Sequence, residues 1–169
     1  MHGAAKPQPK EKKTTDFTDY TDPACGMKFC SENKKMTDSI TKGTYMNDEE
    51  VMKLCDRIRE TSLSIHAYFK HGHMEKIYEN ALVHRLTKQG IKLEQQYPLK
   101  VLDEDGTLLG DYVADLLVEQ SLIVEIKACQ TLANEHTAQI LGYLRASRIR
   151  HGLLINFGAP KLQIKKLVL

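Results

Sequence analysis

The hydrophobic positions of this chain recur first at helical spacing and then at strand spacing. From Asn47 onward, Val51, Leu54, Cys55, Ile58, Ser62, Ile65 and Phe69 predict one amphipathic helix over 48–69. Lys70-His71-Gly72-His73 interrupts the pattern. A second helix is expected over 74–89, with Met74, Ile77, Tyr78, Ala81, Leu82 and Leu86 on one stripe and Gly90 as its C-terminal stop. The period then shortens. Residues 93–102 read as a strand in which Pro98 marks an edge or a bulge. Asp103-Glu104-Asp105-Gly106 carries the Asp-Gly hairpin signal. Two further β-rich runs, 108–118 and 122–129, flank the tight turn Glu119-Gln120-Ser121. Helical spacing returns over 135–148, and short apolar strands are expected at 151–157 and 163–169. The order α, α, β, β, β, α, β, β describes an α/β fold, a mixed sheet with helices packed on it.

Residues 1–46 have a different texture, rich in Lys, Thr, Asp and Pro, with an echo in Thr15-Asp16-Phe17, Thr18-Asp19-Tyr20 and Thr21-Asp22. Such a stretch buries too little surface to offset its ordering, so a disordered polar tail (1–46) ahead of one domain (47–169) is expected. The alternatives are a short recognition tail, or upstream sequence preceding a natural start at Met46 or Met36. The 169-residue chain is 41% hydrophobic and 27% charged, ordinary for a soluble domain. No apolar run approaches the roughly 18 residues of a membrane span, so no membrane partner and a cytoplasmic location are expected. Cys25, Cys30, Cys55 and Cys129 form no CxxC pair, which argues for reduced thiols rather than a zinc ribbon. The first 45 residues hold eight Lys against six acids, and the remainder holds sixteen basic and sixteen acidic side chains. A protein that coats nucleic acid through bulk charge would not be so balanced, and any phosphate affinity must be local.

Candidate chemistry lies where polar residues interrupt core-like strands. By strict alternation Asp115 shares a face with Val113 and Leu117, and Glu125 and Lys127 share one with Ile123 and Cys129. Ionisable groups in such positions need pairing, a metal or a cleft. A plain Lys127–carboxylate ion pair at the sheet rim is the structural alternative. His136, Gln139 and Tyr143 lie on one stripe of the following helix, and Glu75 shares the packed side of the second helix with Tyr78 and Leu82. Glu79 is open between a surface role and a supporting one. Carboxylates, a lysine and a glutamine converging on a sheet suit Mg²⁺ or Mn²⁺, whereas zinc would prefer His and Cys. His71, His73 and Glu75 lack the helical spacing of a zinc motif. Arg145, Arg148 and Arg150 cluster at the end of the third helix, either as a solvated helix end or as a phosphate contact.

Gly72-His73-Met74-Glu75-Lys76-Ile77-Tyr78 resembles the signature of the GxxExxY proteins, a bacterial branch of the PD-(D/E)XK nuclease-like superfamily. The likeness continues through Tyr112 to Val118, Ile123 to Ala128, His136 to Gln139 with Tyr143-Leu144, and Gly152 to Phe157. The family usually places Gly-Pro-Gly before the signature, where this chain has Lys70-His71-Gly72. The resemblance implies a restriction-endonuclease-like mixed central sheet flanked by helices, with two N-terminal helices. It implies that Asp115, Glu125 and the Ile126 carbonyl bind Mg²⁺ or Mn²⁺, with Glu75 as a further ligand. Lys127 would orient or activate the attacking water, and Gln139 with Tyr143 would form a Q-x-x-x-Y element beside the metal. The activity implied is phosphodiester hydrolysis in DNA, ahead of RNA. The alternative is a nucleic-acid- or partner-binding module that keeps the fold without catalysis. Oligomeric state is not legible in the sequence.

Overall fold

The computed structural model describes residues 17–21 and 46–169. Helix α1 (Asp48–Phe69) begins with a capping box: Asn47 Oδ1 accepts the Glu50 N–H at 2.9 Å, and Glu50 Oε2 accepts the Asn47 N–H at 2.8 Å. Helix α2 (Glu75–Lys88) ends where Gly90, at φ 76°, takes the left-handed conformation that relieves the last carbonyls. Then come strands β2 (Leu93–Leu102), β3 (Leu108–Val118) and β4 (Leu122–Lys127), helix α3 (Asn134–Ser147), and strands β5 (His151–Asn156) and β6 (Gln163–Val168). Each agrees with the element expected from hydrophobic periodicity to within two residues.

The strands form one mixed sheet in the order β1-β6-β5-β4-β3-β2, where β1 is Phe17–Thr21. β4 and β5 are parallel, joined through α3, and β1 runs parallel to β6; the other neighbours are antiparallel. β1 was not anticipated, because a five-residue Thr/Asp-rich segment carries no strand periodicity of its own. The rest of the expected disordered tail, with Cys25 and Cys30, lies outside the described residues. β2 is an edge strand, as Pro98 implied.

Helices cover both faces. α1 and α2 pack Ile58, Ile65, Tyr78 and Leu82 against Leu116, Val118, Val124, Ile126 and Phe157. On the other face α3 packs Ile140, Tyr143 and Leu144 against Leu117, Ile123 and Leu154. Each strand of the sheet's centre is therefore buried on both sides, which explains the near-continuous apolar runs of β4 and β5.

Two expectations about faces need correction. On α2, Met74 and Ile77 are exposed, and Glu79 is buried in their place. Its carboxylate draws hydrogen bonds from Lys76, Gln95 and Gln96, which compensates the cost of removing it from water. On β3, strict alternation fails. Val113 is exposed, while Ala114 and Leu117, three residues apart, both join the α3-side core. The interruption falls opposite Gln96, which stands at φ 54° and forms no rung with Asp115. A non-glycine residue in that region re-aims the strand as a bulge would.

Candidate active site

The ladder between β3 and β4 runs from Val118↔Leu122 to Leu116↔Val124 and stops there. The next pair along would be Asp115 and Glu125. Instead of a backbone rung, the Asp115 side chain takes the Ile126 N–H on Oδ2 at 2.7 Å. The strands thus part at the point where the two acids stand. Glu125 is almost wholly buried, and its Oε1 accepts Lys127 Nζ at 2.6 Å. Its other oxygen, Oε2, is buried with no hydrogen-bond partner. An orphaned carboxylate oxygen in a protein interior is costly and calls for a partner.

The charges show the same shortage of compensation. Burial, then the Asp115 charge, pushes Glu125 up to about 7, against the pull of Lys127. Asp115 is also raised, first by burial and further by the charges of Glu75 and Glu79, with the Ile126 N–H opposing. Burial alone would lower Lys127, but its bond to Glu125 and the nearby charges of Glu75 and Asp115 outweigh that and raise it. Lys127 is therefore held as an ammonium ion that donates to Glu125.

Glu75 opens α2 and is half-buried, and its charge reaches Asp115, Glu125 and Lys127. The motif around it has a mechanical logic. Tyr78 is fully buried, stacked on Phe157 at 4.7 Å between ring centroids. Its hydroxyl donates to the Lys70 carbonyl at 2.8 Å and accepts the His73 N–H at 3.2 Å. Between those anchors Lys70 (φ 60°) and Gly72 (φ 109°) turn the chain sharply. Tyr78 thereby pins the loop that fixes how α2, and Glu75 with it, enters the site.

On the opposite side α3 presents Gln139 and Tyr143, joined by a 2.7 Å hydrogen bond from Gln139 Nε2 to Tyr143 Oη. Burial, then the charge of Glu125, keeps the Tyr143 phenol above its ordinary value, so its own proton remains available for donation. His136 takes a different part, with Nδ1 accepting the Ala133 N–H at the helix start.

Glu75, Asp115, Glu125, Lys127, Gln139 and Tyr143 are therefore brought to one end of the sheet. Arg148 and Arg150 are not. They precede β5, whose first residue pairs with Leu122 at the other end of β4, about 16 Å from Lys127 at the usual rise per residue. Arg150 lies 3.5 Å from Asp48 of α1, and Arg145 lies near that end of α3, past Tyr143.

Four contributors went unread in the sequence. Gln95 and Gln96 bind the buried Glu79 at 2.8 Å each, and Gln96 also lies 3.5 Å from Asp115 Oδ1. The adjacent glutamines ahead of an edge proline were their only signal. Asn156 is fully buried and clasps Cys129 through both its N–H and C=O, holding the chain that leaves β4. Gly158 crosses the same segment so closely that an added Cβ would lie 2.4 Å from the Ala128 carbonyl carbon.

Among the described residues no group of three or more His, Cys, Asp or Glu is drawn into coordinating distance. The donor set nevertheless fits a hard divalent cation: a buried and a half-buried acid, both of raised pKa, an unpartnered Glu125 oxygen and a third acid whose charge reaches both. A profile described as the PD-(D/E)XK nuclease superfamily matches residues 52–167. No curated protein and no solved structure matches the chain.

Proposed function

Because the chain belongs to the PD-(D/E)XK nuclease superfamily, we propose that it is a metal-dependent nuclease that hydrolyses phosphodiester bonds in DNA, and that its site is the parted end of β3 and β4. The observation that carries this reading is the unpartnered, buried Oε2 of Glu125 beside Asp115. Asp115, Glu125 and the Ile126 carbonyl would hold Mg²⁺ or Mn²⁺, with Glu75 as a further ligand from α2. Such a cation supplies a Lewis acid for the phosphate and lowers the pKa of bound water.

The remaining work falls to the chain's own groups. Lys127, held as an ammonium by Glu125, orients the attacking water and faces the phosphate charge. The Ile126 N–H fixes Oδ2 of Asp115, while among the described residues Oδ1 has only the long 3.5 Å approach of Gln96 Nε2. Tyr143, with its oxygen engaged by Gln139, has its proton free to donate to the substrate. The loop pinned by Tyr78 sets the reach of Glu75.

The test is cleavage of labelled single-strand, duplex and branched DNA, with and without Mg²⁺ or Mn²⁺. Metal-dependent cleavage lost on chelation is the expected result. Binding without turnover in any metal would instead support a non-catalytic module, a reading favoured by the even balance of charge over residues 46–169.

A further inference from the structure

The hairpin of β2 and β3 outreaches the sheet. Residues 108–114 of β3 lie beyond its ladder with β4, and all but Leu109 pair with β2 alone. The projecting arm leaves from the end that carries Asp115 and Glu125. It shows solvent an unusual run of large apolar side chains: Leu102, Leu108, Leu109, Tyr112 and Val113, with Leu109 63% and Tyr112 43% exposed. Exposed apolar side chains gathered on the two faces of one arm mark an interaction surface, and Tyr112 lies on the face that carries Leu99 and Ala114.

Tyr112 connects that patch to the site. It is three residues from Asp115, about 10 Å along a strand. Its ring lies 5.3 Å from that of Tyr143, the side chain that Gln139 engages and that the Glu125 charge reaches. A group stacked on Tyr112 is thus one nucleotide's reach from the carboxylates.

Charge decides what can stack there. The arm carries Asp103, Glu104, Asp105 and Asp111 against one lysine, Lys100. A duplex presents phosphates on its outside and would meet this acidic arm with like charge. An unpaired strand can turn its uncharged bases toward the apolar arm and its phosphates away from the arm's acids. Base–aromatic stacking of this kind is tolerant of sequence.

Resting on the nuclease reading, we propose that Tyr112 is a stacking platform for an unpaired base and that single-stranded DNA is the substrate class of this site. The chain contains no tryptophan, so Tyr112→Trp places a single indole reporter on the arm. In chelator, where no cleavage occurs, titrating this variant with oligothymidylate should quench its fluorescence, and a blunt hairpin duplex of equal length should not. Tyr112→Ala should weaken single-strand binding about tenfold by anisotropy. Tyr112→Phe, which keeps the ring, should restore it. Equal quenching by both DNAs, no quenching by either, or wild-type affinity in Tyr112→Ala would overturn the proposal. So would a dimer in sedimentation that Leu109→Ser dissolves, which would assign the arm to a second copy. Cleavage by the unaltered chain is scored separately. Quenching without any metal-dependent cleavage would remove the nuclease reading and leave the platform standing, whereas cleavage without quenching would do the reverse.

Discussion

At one end of β4 and β5, His151 Nε2 meets Asp48 at 3.0 Å, the Arg150 guanidinium lies 3.5 Å from the same carboxylate, and the charge of Lys166 reaches it too, so its pKa falls. At the other end, Asp115 and Glu125 stand side by side, both raised, with one lysine between three acids and a buried oxygen left over. The first lies where β5 begins beside α1, the second where β3 and β4 part, and each sets polar groups against the same apolar sheet. The first pairs its one carboxylate with partners inside the chain, as structural ion pairs do, although His151 Nδ1 is itself buried without a hydrogen-bond partner. The second keeps a surplus of one sign where burial makes that surplus expensive, and such a surplus is the mark of a site awaiting a counter-charge.

The contrast can be broken most sharply at the acids themselves. Asp115→Asn and Glu125→Gln should each abolish metal-dependent cleavage, while the metal-free protein melts at the same temperature or higher because repulsion is relieved. Cleavage that survives in both, measured beside circular-dichroism melts, would move the site elsewhere. Next in size is Glu75→Gln, expected to weaken Mn²⁺ binding about 10–100-fold in calorimetry. An unchanged titration would return Glu75 to the surface of α2.

The third effect is a pH slope. Glu125 binds its proton more tightly folded than unfolded, so the contribution is present in full below the unfolded carboxyl value of about 4.3. It is lost as pH rises through about 7. The metal-free protein should therefore lose stability across that window, and Glu125→Gln should flatten the slope. The smallest effect belongs to the resolved end. Asp48→Asn removes an exposed carboxylate from His151 and Arg150, and it should lower the melting temperature slightly, less so in high salt, without touching metal affinity. A chain starting at Met46 should likewise melt within a few degrees of the full one, since β1 adds one edge strand.

Most of the architecture is visible in hydrophobic spacing because nearly every element here is packed on a defined face. The spacing of Val51 through Phe69 and the punctuation at Gly90, Pro98 and Gly106 place their elements unaided. β1 escapes because its partner, β6, is more than a hundred residues away and a Thr/Asp segment has no face to show. The acids were legible as interruptions of apolar strands. Glu79 was not, since its burial depends on glutamines from another element, and the distance separating Arg148 and Arg150 from the acids is a matter of strand direction rather than spacing. The face of Asp115 was misjudged because alternation assumes an unbroken pleat, and Gln96 breaks it.

The short turn between β3 and β4 has a consequence for the order of assembly. Glu119 and Gln120, at φ 47° and 53°, close it, and the Ser121 N–H returns to the Val118 carbonyl at 3.0 Å. Asp115 and Glu125 are thus the two arms of a local hairpin, whose closure costs little chain entropy and takes microseconds in isolation. Glu75 arrives from a distant helix, after a far longer loop is closed. The mutual repulsion of the acids is consequently met early in folding, before the rest of the site exists. Stopped-flow refolding without metal should slow as the pair ionises, so that pH acts on the folding limb; a pH effect confined to unfolding would place their meeting after the transition state.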